Sequence, residues 1–253
     1  MEKTGDERRY AEFSDPRLVA IYDTVNPIDS YRAFYPDLVA RLSPHIILDI
    51  GCGTGLLTCE LAQEGRRVIG LEPSSELLER ARHRPGCEHV AWIEGSVDEL
   101  GRENADLAIM TGHVAQFFLE NDAWQAALTK IRDALSPGGH LVFESRNPLV
   151  PPFADWPTVS APQQLIDPIA GPVEWWATTP ERDRNRLRYE IHYRFKEGGE
   201  ELVSANELVF RTQEEIIQSL HTAGFRLCGT FGNWDRSALS PTSPEMIFVA
   251  EPA

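Results

Sequence analysis

One short segment, residues 49–55, combines residue types that favour the binding of a nucleoside-like ligand. It is Asp-Ile-Gly-Cys-Gly-Thr-Gly, and a second carboxylate, Glu72, follows the next apolar run. Because they lack a Cβ, Gly51 and Gly53 can adopt positive φ and let ligand atoms contact the backbone. An acid at the end of the second strand of such a unit accepts hydrogen bonds from ribose hydroxyls. The spacing therefore predicts a ligand that contains ribose.

The glycine spacing and Asp49 favour S-adenosylmethionine over a dinucleotide. The glycines follow Gly-x-Gly-x-Gly, whereas Gly-x-Gly-x-x-Gly brings a helix N-terminus onto a pyrophosphate. A carboxylate at position 49 would repel a diphosphate and attract an ammonium group. S-adenosylmethionine carries an ammonium, a sulfonium and a ribose but no phosphate.

Alternating strands and helices are predicted to position these residues. Apolar runs predict strands at 47–50, 68–71, 90–94, 106–110 and 140–144, with helical periodicity between them. Ser74 or Ser75, Asp122 with Gln125, and Thr212 with Glu215 are candidate helix caps. Five strands alternating with helices predict a parallel α/β sheet with right-handed crossovers. Two further strands are expected near 227–231 and 247–250.

Residues 49–55 followed by 70–74 resemble the first two motifs of the class I S-adenosylmethionine-dependent methyltransferases. The motifs extend over residues 35 to 148. The resemblance implies a Rossmann-like, seven-stranded, mostly parallel sheet with helices on both faces. It also implies a last strand that lies antiparallel between its neighbours, and an antiparallel β insert over the active site. The implied cofactor is S-adenosylmethionine, with S-adenosylhomocysteine as its product.

The resemblance also implies which residues contact the cofactor. They lie at the ends of the predicted strands and in the segment before the first strand. The expected set is Asp49, Gly51, Cys52, Gly53, Leu56, Glu72, Pro73, Ser74, Gly95, Ser96, Val97, Thr111, His113, Tyr22 and Tyr31. Many family members have Asp where this chain has Ser96, so Asp98 is an alternative adenine contact. Tyr22 and Tyr31 suit a sulfonium, although packing of an N-terminal helix would also explain them.

His113 is the candidate catalytic base, because it follows the fourth strand and imidazole accepts protons near neutral pH. The alternative is a histidine that only hydrogen-bonds the cofactor or the backbone. Glu144 and Arg146, at the end of the fifth strand, are candidate substrate contacts, although a salt bridge between them would also explain both. Trp156 and Tyr189 complete the candidate substrate set.

Three regions are expected along the chain. Residues 1–148 form an N-terminal cap segment and the cofactor-binding core. Residues 149–211 form a β-rich insert, with a hairpin of residues 187–195 and 202–210 around Gly198 and Gly199 and a further strand at 173–176. Residues 212–253 return to the core with a helix and the last two strands. We expect the insert to be a substrate lid, while a dimerisation sheet, and hence a homodimer, is the alternative.

Composition restricts the partners. A formal net charge of −15 and a pI near 4.9 argue against a nucleic-acid substrate. The sequence contains no apolar run long enough to span a membrane and no apolar signal core at its start, so we expect a cytoplasmic protein.

The four cysteines, Cys52, Cys59, Cys87 and Cys228, lack metal-binding spacing. We expect them to be reduced, with no metal site and no thiol nucleophile.

The combined prediction is methyl transfer to an oxygen or nitrogen of a small organic molecule. The chain has Thr111-Gly112-His113 where enzymes that methylate nucleic-acid amino groups have an Asn-Pro-Pro-Tyr type motif. Two alternatives are a nicotinamide-dependent oxidoreductase and a non-catalytic protein that binds the cofactor and recognises a partner. The sequence does not identify the methyl acceptor.

Overall fold

The computed structural model describes residues 8–27, 31, 33–62, 65–150, 162–168, 170–178, 180–196 and 198–253. Within these ranges no helix is both long and apolar enough to cross a membrane. The predicted substrate contact Trp156 lies outside the described residues.

The core is a seven-stranded sheet in the order β11-β12-β5-β4-β1-β2-β3. The pairs formed among β1 to β5 are parallel, and β12 runs antiparallel to both β5 and β11. This topology confirms the predicted fold class and the antiparallel last strand. The strands are β1 (Ile46–Ile50), β2 (Arg67–Glu72), β3 (Val90–Glu94), β4 (Ala105–Met110), β5 (Leu135–Arg146), β11 (Phe225–Phe231) and β12 (Glu245–Pro252).

Helices cover both faces of this sheet because their apolar stripes are buried against it. On one face, Trp124 and Leu128 of α6 and Leu220 of α7 join a large buried cluster with Phe143. On the other face, Leu38 of α3 and Leu57 of α4 pack with residues of β1, β2 and β4. Burial of one helical stripe is the usual source of stability for such helices. The helices are α3 (Phe34–Leu42), α4 (Leu56–Leu61), α5 (Ser75–Arg82), α6 (Asn121–Ala134) and α7 (Gln213–Thr222).

The insert forms a second, antiparallel sheet in the order β10-β9-β7-β6, with β8 paired to β9. The longest pairing in this sheet joins β9 to β10 and is the predicted hairpin. The expected further strand is β7, which pairs with β9. β6 and β8 are additional strands. The strands are β6 (Gln163–Asp167), β7 (Gly171–Ala177), β8 (Glu181–Asp183), β9 (Arg186–Phe195) and β10 (Glu201–Val209).

Two N-terminal helices, α1 (Ala11–Ser14) and α2 (Pro16–Val25), pack against the insert. Leu18 and Ile21 share a buried cluster with Tyr193 and Leu202. The backbone N–H of Tyr10 donates to the carbonyl of Ala205 on β10 at 3.0 Å. The N-terminal segment and the insert therefore meet through both apolar packing and backbone hydrogen bonds.

The prediction that all four cysteines are reduced is wrong for one pair. Cys59 and Cys87 form a disulfide, with their Cα atoms 4.8 Å apart. Cys59 lies on α4 and Cys87 follows α5. A Cβ built on Gly55, just before α4, would lie 2.9 Å from Ala81 of α5, so the two helices approach closely at that point. Cys52 and Cys228 are free thiols.

Candidate active site

The glycine loop joins β1 to α4. The backbone N–H groups of Gly51 and Cys52 both donate to the carbonyl of Leu71, at 2.8 and 3.1 Å. Gly51 has φ +70°, and a Cβ there would lie 2.5 Å from Val114 Cγ2. Gly53 has φ +56°, and a Cβ there would meet no atom within 4 Å. Position 51 therefore requires glycine for packing, while Gly53 exposes its backbone to open space.

Asp49 is buried directly below this loop, at 1 % exposure. Its Oδ2 accepts a hydrogen bond from Thr58 Oγ1 at 2.7 Å, whereas Oδ1 has no hydrogen-bond partner among the described residues. Burial raises the pKa of Asp49 to about 7, although the Thr58 hydrogen bond opposes that rise. A buried acceptor without a partner is costly, so Oδ1 suits a cationic ligand group.

Glu72, at the end of β2, is held by backbone donors on both of its oxygens. Oε2 accepts from the N–H of Gly53 and Oε1 from the N–H of Ser74, each at 2.9 Å. Burial raises the pKa of Glu72, and these two hydrogen bonds oppose the rise. Because each carboxylate oxygen has a second lone pair, Glu72 can still accept hydrogen bonds from a ribose. Its carboxylate is fixed before the ligand arrives.

Three further predicted cofactor residues, Pro73, Leu56 and Cys52, lie next to Glu72 or in and after the glycine loop. Pro73 follows Glu72, and Leu56 begins α4. The Cys52 side chain lies toward β2, because a Cβ on Gly70 would be 3.0 Å from its Sγ. The loop position of Cys52 therefore leaves its backbone, not its thiol, as the ligand contact.

The predicted adenine contacts follow β3. The backbone N–H of Gly95 donates to the carbonyl of Glu72 at 3.0 Å, which keeps this turn beside the ribose acid. Ser96 caps the short 3-10 helix Val97–Glu99 by accepting from the N–H of Asp98 at 3.2 Å. The Ser96 hydroxyl also lies 3.3 Å from the Asp98 carboxylate, so both candidate adenine contacts belong to one turn.

Asp23 of helix α2 connects this helix to the glycine loop and to α5 and the residues that follow it. The Asp23 carboxylate accepts from Thr54 Oγ1 at 2.5 Å and pairs with Arg84 at 2.5 Å and Arg80 at 3.2 Å. Ser74 Oγ donates to the backbone carbonyl of Phe13. The N-terminal segment is thus held against the glycine loop and the start of α5.

The two N-terminal tyrosines predicted to contact the cofactor are Tyr22, which is partly buried, and Tyr31, which lies beside the loop after β4. Burial raises the pKa of Tyr22 well above its usual value, and Glu12 and Glu72 contribute to the rise. A Cβ on Gly112 would lie 3.9 Å from the Tyr31 hydroxyl. Tyr31 and Tyr22 therefore lie close to residues from the first, second and fourth strand ends.

His113 has a left-handed backbone, with φ +65°, and two acidic neighbours. Its backbone N–H donates to Glu144 Oε1 at 2.9 Å, and its ring Nε2 lies 2.9 Å from Glu245 Oε2. Glu144 is fully buried and also accepts from the Tyr35 hydroxyl. Burial raises the pKa of Glu144, while His113 and Tyr35 oppose the rise. His113 follows Thr111, which is buried at the end of β4.

The two remaining described substrate candidates lie between the core and the insert. Arg146 Nη1 donates to Gln116 Oε1 at 3.0 Å, and burial lowers its pKa. Tyr189 is buried on β9, where burial and Glu12 raise its pKa and Arg146 lowers it. The Tyr189 hydroxyl thus experiences the negative charge of Glu12 and the positive charge of Arg146.

Several polar residues of the site were not identified from the sequence. Glu12, on the single turn of α1, accepts from the Tyr193 hydroxyl at 3.2 Å, and burial raises its pKa to about 7. Glu245 is the first residue of β12, and its only sequence signal is its position at a strand start. Asp23 and Tyr35 were in the N-terminal segment, but nothing in their spacing distinguished them from exposed helix residues.

Residues 47–139 match the methyltransferase domain family. The chain is similar to mouse glycine N-methyltransferase, with 27 % identity over 157 residues, which is 55 % of this chain and 54 % of that protein. The chain thus spans about half the length of that relative. The cypemycin N-terminal methyltransferase of a Streptomyces species is 26 % identical over 245 residues, covering 94 % of this chain and 96 % of that protein.

The fold is shared with a solved S-adenosylmethionine-dependent methyltransferase from Clostridium acetobutylicum. The TM-score is 0.76 at 14 % sequence identity, over 94 % of this chain and 98 % of that one. The family match confirms the resemblance inferred from residues 49–55 and 70–74, and the structural similarity shows that the chain shares this fold over most of its length.

Proposed function

We propose that this protein, whose residues 47–139 form a methyltransferase domain, transfers a methyl group from S-adenosylmethionine to an amine nitrogen of a small organic molecule. The observation that carries this proposal is a concentration of buried acids at the site. They are Glu12, Asp49, Glu72 and Glu144, with the half-buried Glu245 beside His113.

The described residues fit S-adenosylmethionine. Asp49 Oδ1 offers a buried acceptor for the ammonium group, and Glu72 offers free lone pairs for the ribose hydroxyls. Gly53 leaves open space at its Cα. When bound, the cofactor supplies a methyl group activated by a sulfonium. The protein then has to hold the acceptor in line with the methyl and exclude water.

The charges favour an acceptor that arrives as a cation. Asp49 and Glu72 are assigned to the cofactor, which leaves Glu12, Glu144 and Glu245 for the acceptor. The guanidinium of Arg146, on the same strand as Glu144, carries the opposite charge. Buried carboxylates attract an ammonium group and repel a carboxylate or a phosphate. The relatives named for N-methylation, which act on glycine and on a peptide N-terminus, support a nitrogen acceptor.

An ammonium acceptor must lose a proton, and His113 is the proposed proton acceptor. If neutral His113 donates Nε2–H to Glu245, its Nδ1 carries the lone pair. Glu245 then fixes the tautomer and stabilises the imidazolium that forms, so it is a positioning residue. The same pair could remove a proton from a hydroxyl, which makes oxygen methylation the alternative outcome of the test.

The insert of residues 149–211 is proposed to select the acceptor. Tyr189 and Tyr193 of β9 are buried, and Tyr193 contacts Glu12. The insert therefore contributes hydroxyl groups and aromatic surface next to the proposed acceptor acids. We retain the boundaries 1–148, 149–211 and 212–253 as the proposed division of the chain.

The proposal is tested by transfer of radiolabelled methyl from S-adenosylmethionine to matched acceptor pairs. Each pair shares a skeleton and differs only in amine or hydroxyl, such as glycine with glycolate, an aminosugar with its parent sugar, or a peptide with a free or acetylated N-terminus. We expect label only in amine members. Labelling of hydroxyl members would assign oxygen methylation. Cofactor binding with no transfer to a broad metabolite extract would favour a non-catalytic protein.

A further inference from the structure

Three side chains with metal-ligating atoms converge on the outer part of the core sheet, away from the candidate active site. They are His140 in the middle of β5, Cys228 on β11 and Glu251 near the end of β12. Their ligand atoms all lie within 4.8 Å of one another. The candidate active site lies farther along β5, around Glu144 and Arg146 at the C-terminal end of the strand.

Strand pairing explains why these remote residues meet. Glu251 follows Ala250, whose partner on β5 is Leu141, so Glu251 lies beside His140. On the other side of β12, Arg226 of β11 pairs with Glu251. The register shifts between Leu227 and Gly229, so Cys228 is an extra residue with no partner on β12. A β-bulge of this kind redirects a side chain, and here it places the thiol beside Glu251.

One oxygen of Glu251 is the meeting point of the cluster. Oε2 lies 3.4 Å from Cys228 Sγ and 3.9 Å from His140 Nε2. The other oxygen, Oε1, is in contact with the guanidinium of Arg226. Metal-ligating carboxylates are commonly supported in this way, with one oxygen on the metal and the other hydrogen-bonded to a neighbour. Arg226 therefore orients the carboxylate and need not leave when a cation binds.

The three groups suit one cation in particular. Thiolate, imidazole and carboxylate are the ligands of Zn²⁺, at about 2.3 Å for sulfur and about 2.0 to 2.2 Å for nitrogen and oxygen. In a tetrahedral zinc site with these bond lengths, neighbouring ligand atoms lie about 3 to 4 Å apart. The distances from Glu251 Oε2 to Cys228 Sγ and to His140 Nε2 are close to this range. We propose that His140, Cys228 and Glu251 form a zinc-binding site, with the fourth position open to water.

The proposed site has consequences for the protein. It would join β5, β12 and β11 at one point and so stabilise the C-terminal part of the sheet by ligand binding. Cys228 must lose its proton when it ligates. Zinc binding should therefore release a proton.

The test is titration of the metal-free protein with Co²⁺, with the Cys59–Cys87 disulfide intact and Cys228 a free thiol, followed by displacement with Zn²⁺. We expect a thiolate-to-cobalt charge-transfer band in the near ultraviolet that saturates at one equivalent and disappears on addition of Zn²⁺. Cys228→Ser should abolish the band, and His140→Ala should weaken Co²⁺ binding by at least about tenfold. The matched control is His221→Ala, which removes an exposed histidine of α7 and should leave the titration unchanged.

Binding of S-adenosylhomocysteine verifies that each variant is folded, since the proposed metal site and the cofactor site lie at different ends of the sheet. A wild-type protein without the band, or a band that persists in Cys228→Ser, would overturn the proposal. If Cys228→Ser fails to bind S-adenosylhomocysteine, His140→Ala and Glu251→Gln decide the question. Unchanged cobalt affinity in both would also overturn it.

Discussion

His113 combines backbone strain with specific hydrogen bonds. A left-handed backbone, here φ +65°, is uncommon for a residue other than glycine and persists only where neighbours hold it. Glu144 binds its backbone N–H and Glu245 binds its ring. The two acids come from β5 and β12, which are adjacent in the sheet. The orientation of the imidazole is therefore set by the core sheet and not by its own loop.

His113→Ala is expected to lower kcat by about 10² to 10⁴, which is the usual contribution of a general base. The affinity for S-adenosylhomocysteine should remain within about twofold if the ring acts as the proposed proton acceptor and not as one of the expected cofactor contacts. Kinetics with the acceptor identified by label transfer, together with calorimetry, measure the two effects. Parallel loss of turnover and cofactor affinity would instead assign His113 to cofactor binding.

Glu245→Gln tests the positioning role. Glutamine can still accept a hydrogen bond from the ring but carries no charge to stabilise an imidazolium. We expect a loss in kcat smaller than that of His113→Ala, with KM little changed. A loss that appears entirely in KM would show that Glu245 contacts the acceptor.

Asp49 should make cofactor binding depend on pH. Burial raises the pKa of Asp49 in the ligand-free protein to about 7, above its value in an unfolded chain. Burial therefore disfavours the ionised carboxylate relative to the protonated acid. A cationic ligand favours that ionised form, and binding should therefore strengthen as pH rises through 7. The ratio of wild-type to Asp49→Asn affinity should increase by about tenfold between about pH 6 and about pH 8. Calorimetry at both values measures it, and a constant ratio would contradict the assignment.

At the scale of elements, two of three predicted helix caps are present. Ser74 accepts from the N–H of Leu77, and Thr212 with Glu215 forms a capping box. The third prediction, Asp122 with Gln125, is wrong. Helix α6 begins at Asn121 without a side-chain cap, and Gln125 instead donates to the carbonyl of Ser219 on α7 at 3.2 Å. Gln125 therefore bonds to the neighbouring helix α7 instead of capping the N-terminus of α6.

Because Asp23 joins α2 to the glycine loop, we expect loss of its carboxylate to weaken cofactor binding. Asp23→Ala removes a half-buried carboxylate that joins Thr54, Arg80 and Arg84. We expect S-adenosylhomocysteine to bind about tenfold more weakly, mainly through faster dissociation, since hydrogen bonds to charged groups contribute about 1.5 to 3 kcal/mol. Stopped-flow displacement measures the rate. Asp37→Ala, which removes an exposed acid of α3, is the matched control and should have no effect.

At the scale of the whole molecule, the site lies where three parts of the chain meet. The core contributes the strand ends, the N-terminal segment contributes Glu12 and Asp23, and the insert contributes Tyr189 and Tyr193. Glu12 is joined to the insert by the Tyr193 hydroxyl and by Ser204, whose Oγ accepts from its backbone N–H. The N-terminal segment and the insert are therefore expected to act together on the acceptor.

The disulfide predicts a dependence of global stability on redox state. The Cys59–Cys87 bond closes a loop with a sequence separation of 28 residues, for which the chain-entropy contribution is about 3.6 kcal/mol. Reductant should therefore lower Tm by several degrees. The double substitution Cys59→Ser with Cys87→Ser should lower Tm similarly without reductant and abolish the effect of adding it. A wild-type Tm that is insensitive to reductant would contradict the prediction.

The sequence by itself determined the parts of this protein that depend on neighbouring residues. Apolar runs and their periodicity predicted the core strands, and the glycine spacing with Asp49 and Glu72 predicted the cofactor. These features are local because backbone conformation and strand burial are encoded within a few residues. The tertiary structure decided which remote groups meet. Glu245 reaches His113, Cys59 reaches Cys87, and Cys228 reaches His140 only because strand order, register and helix packing bring distant segments together.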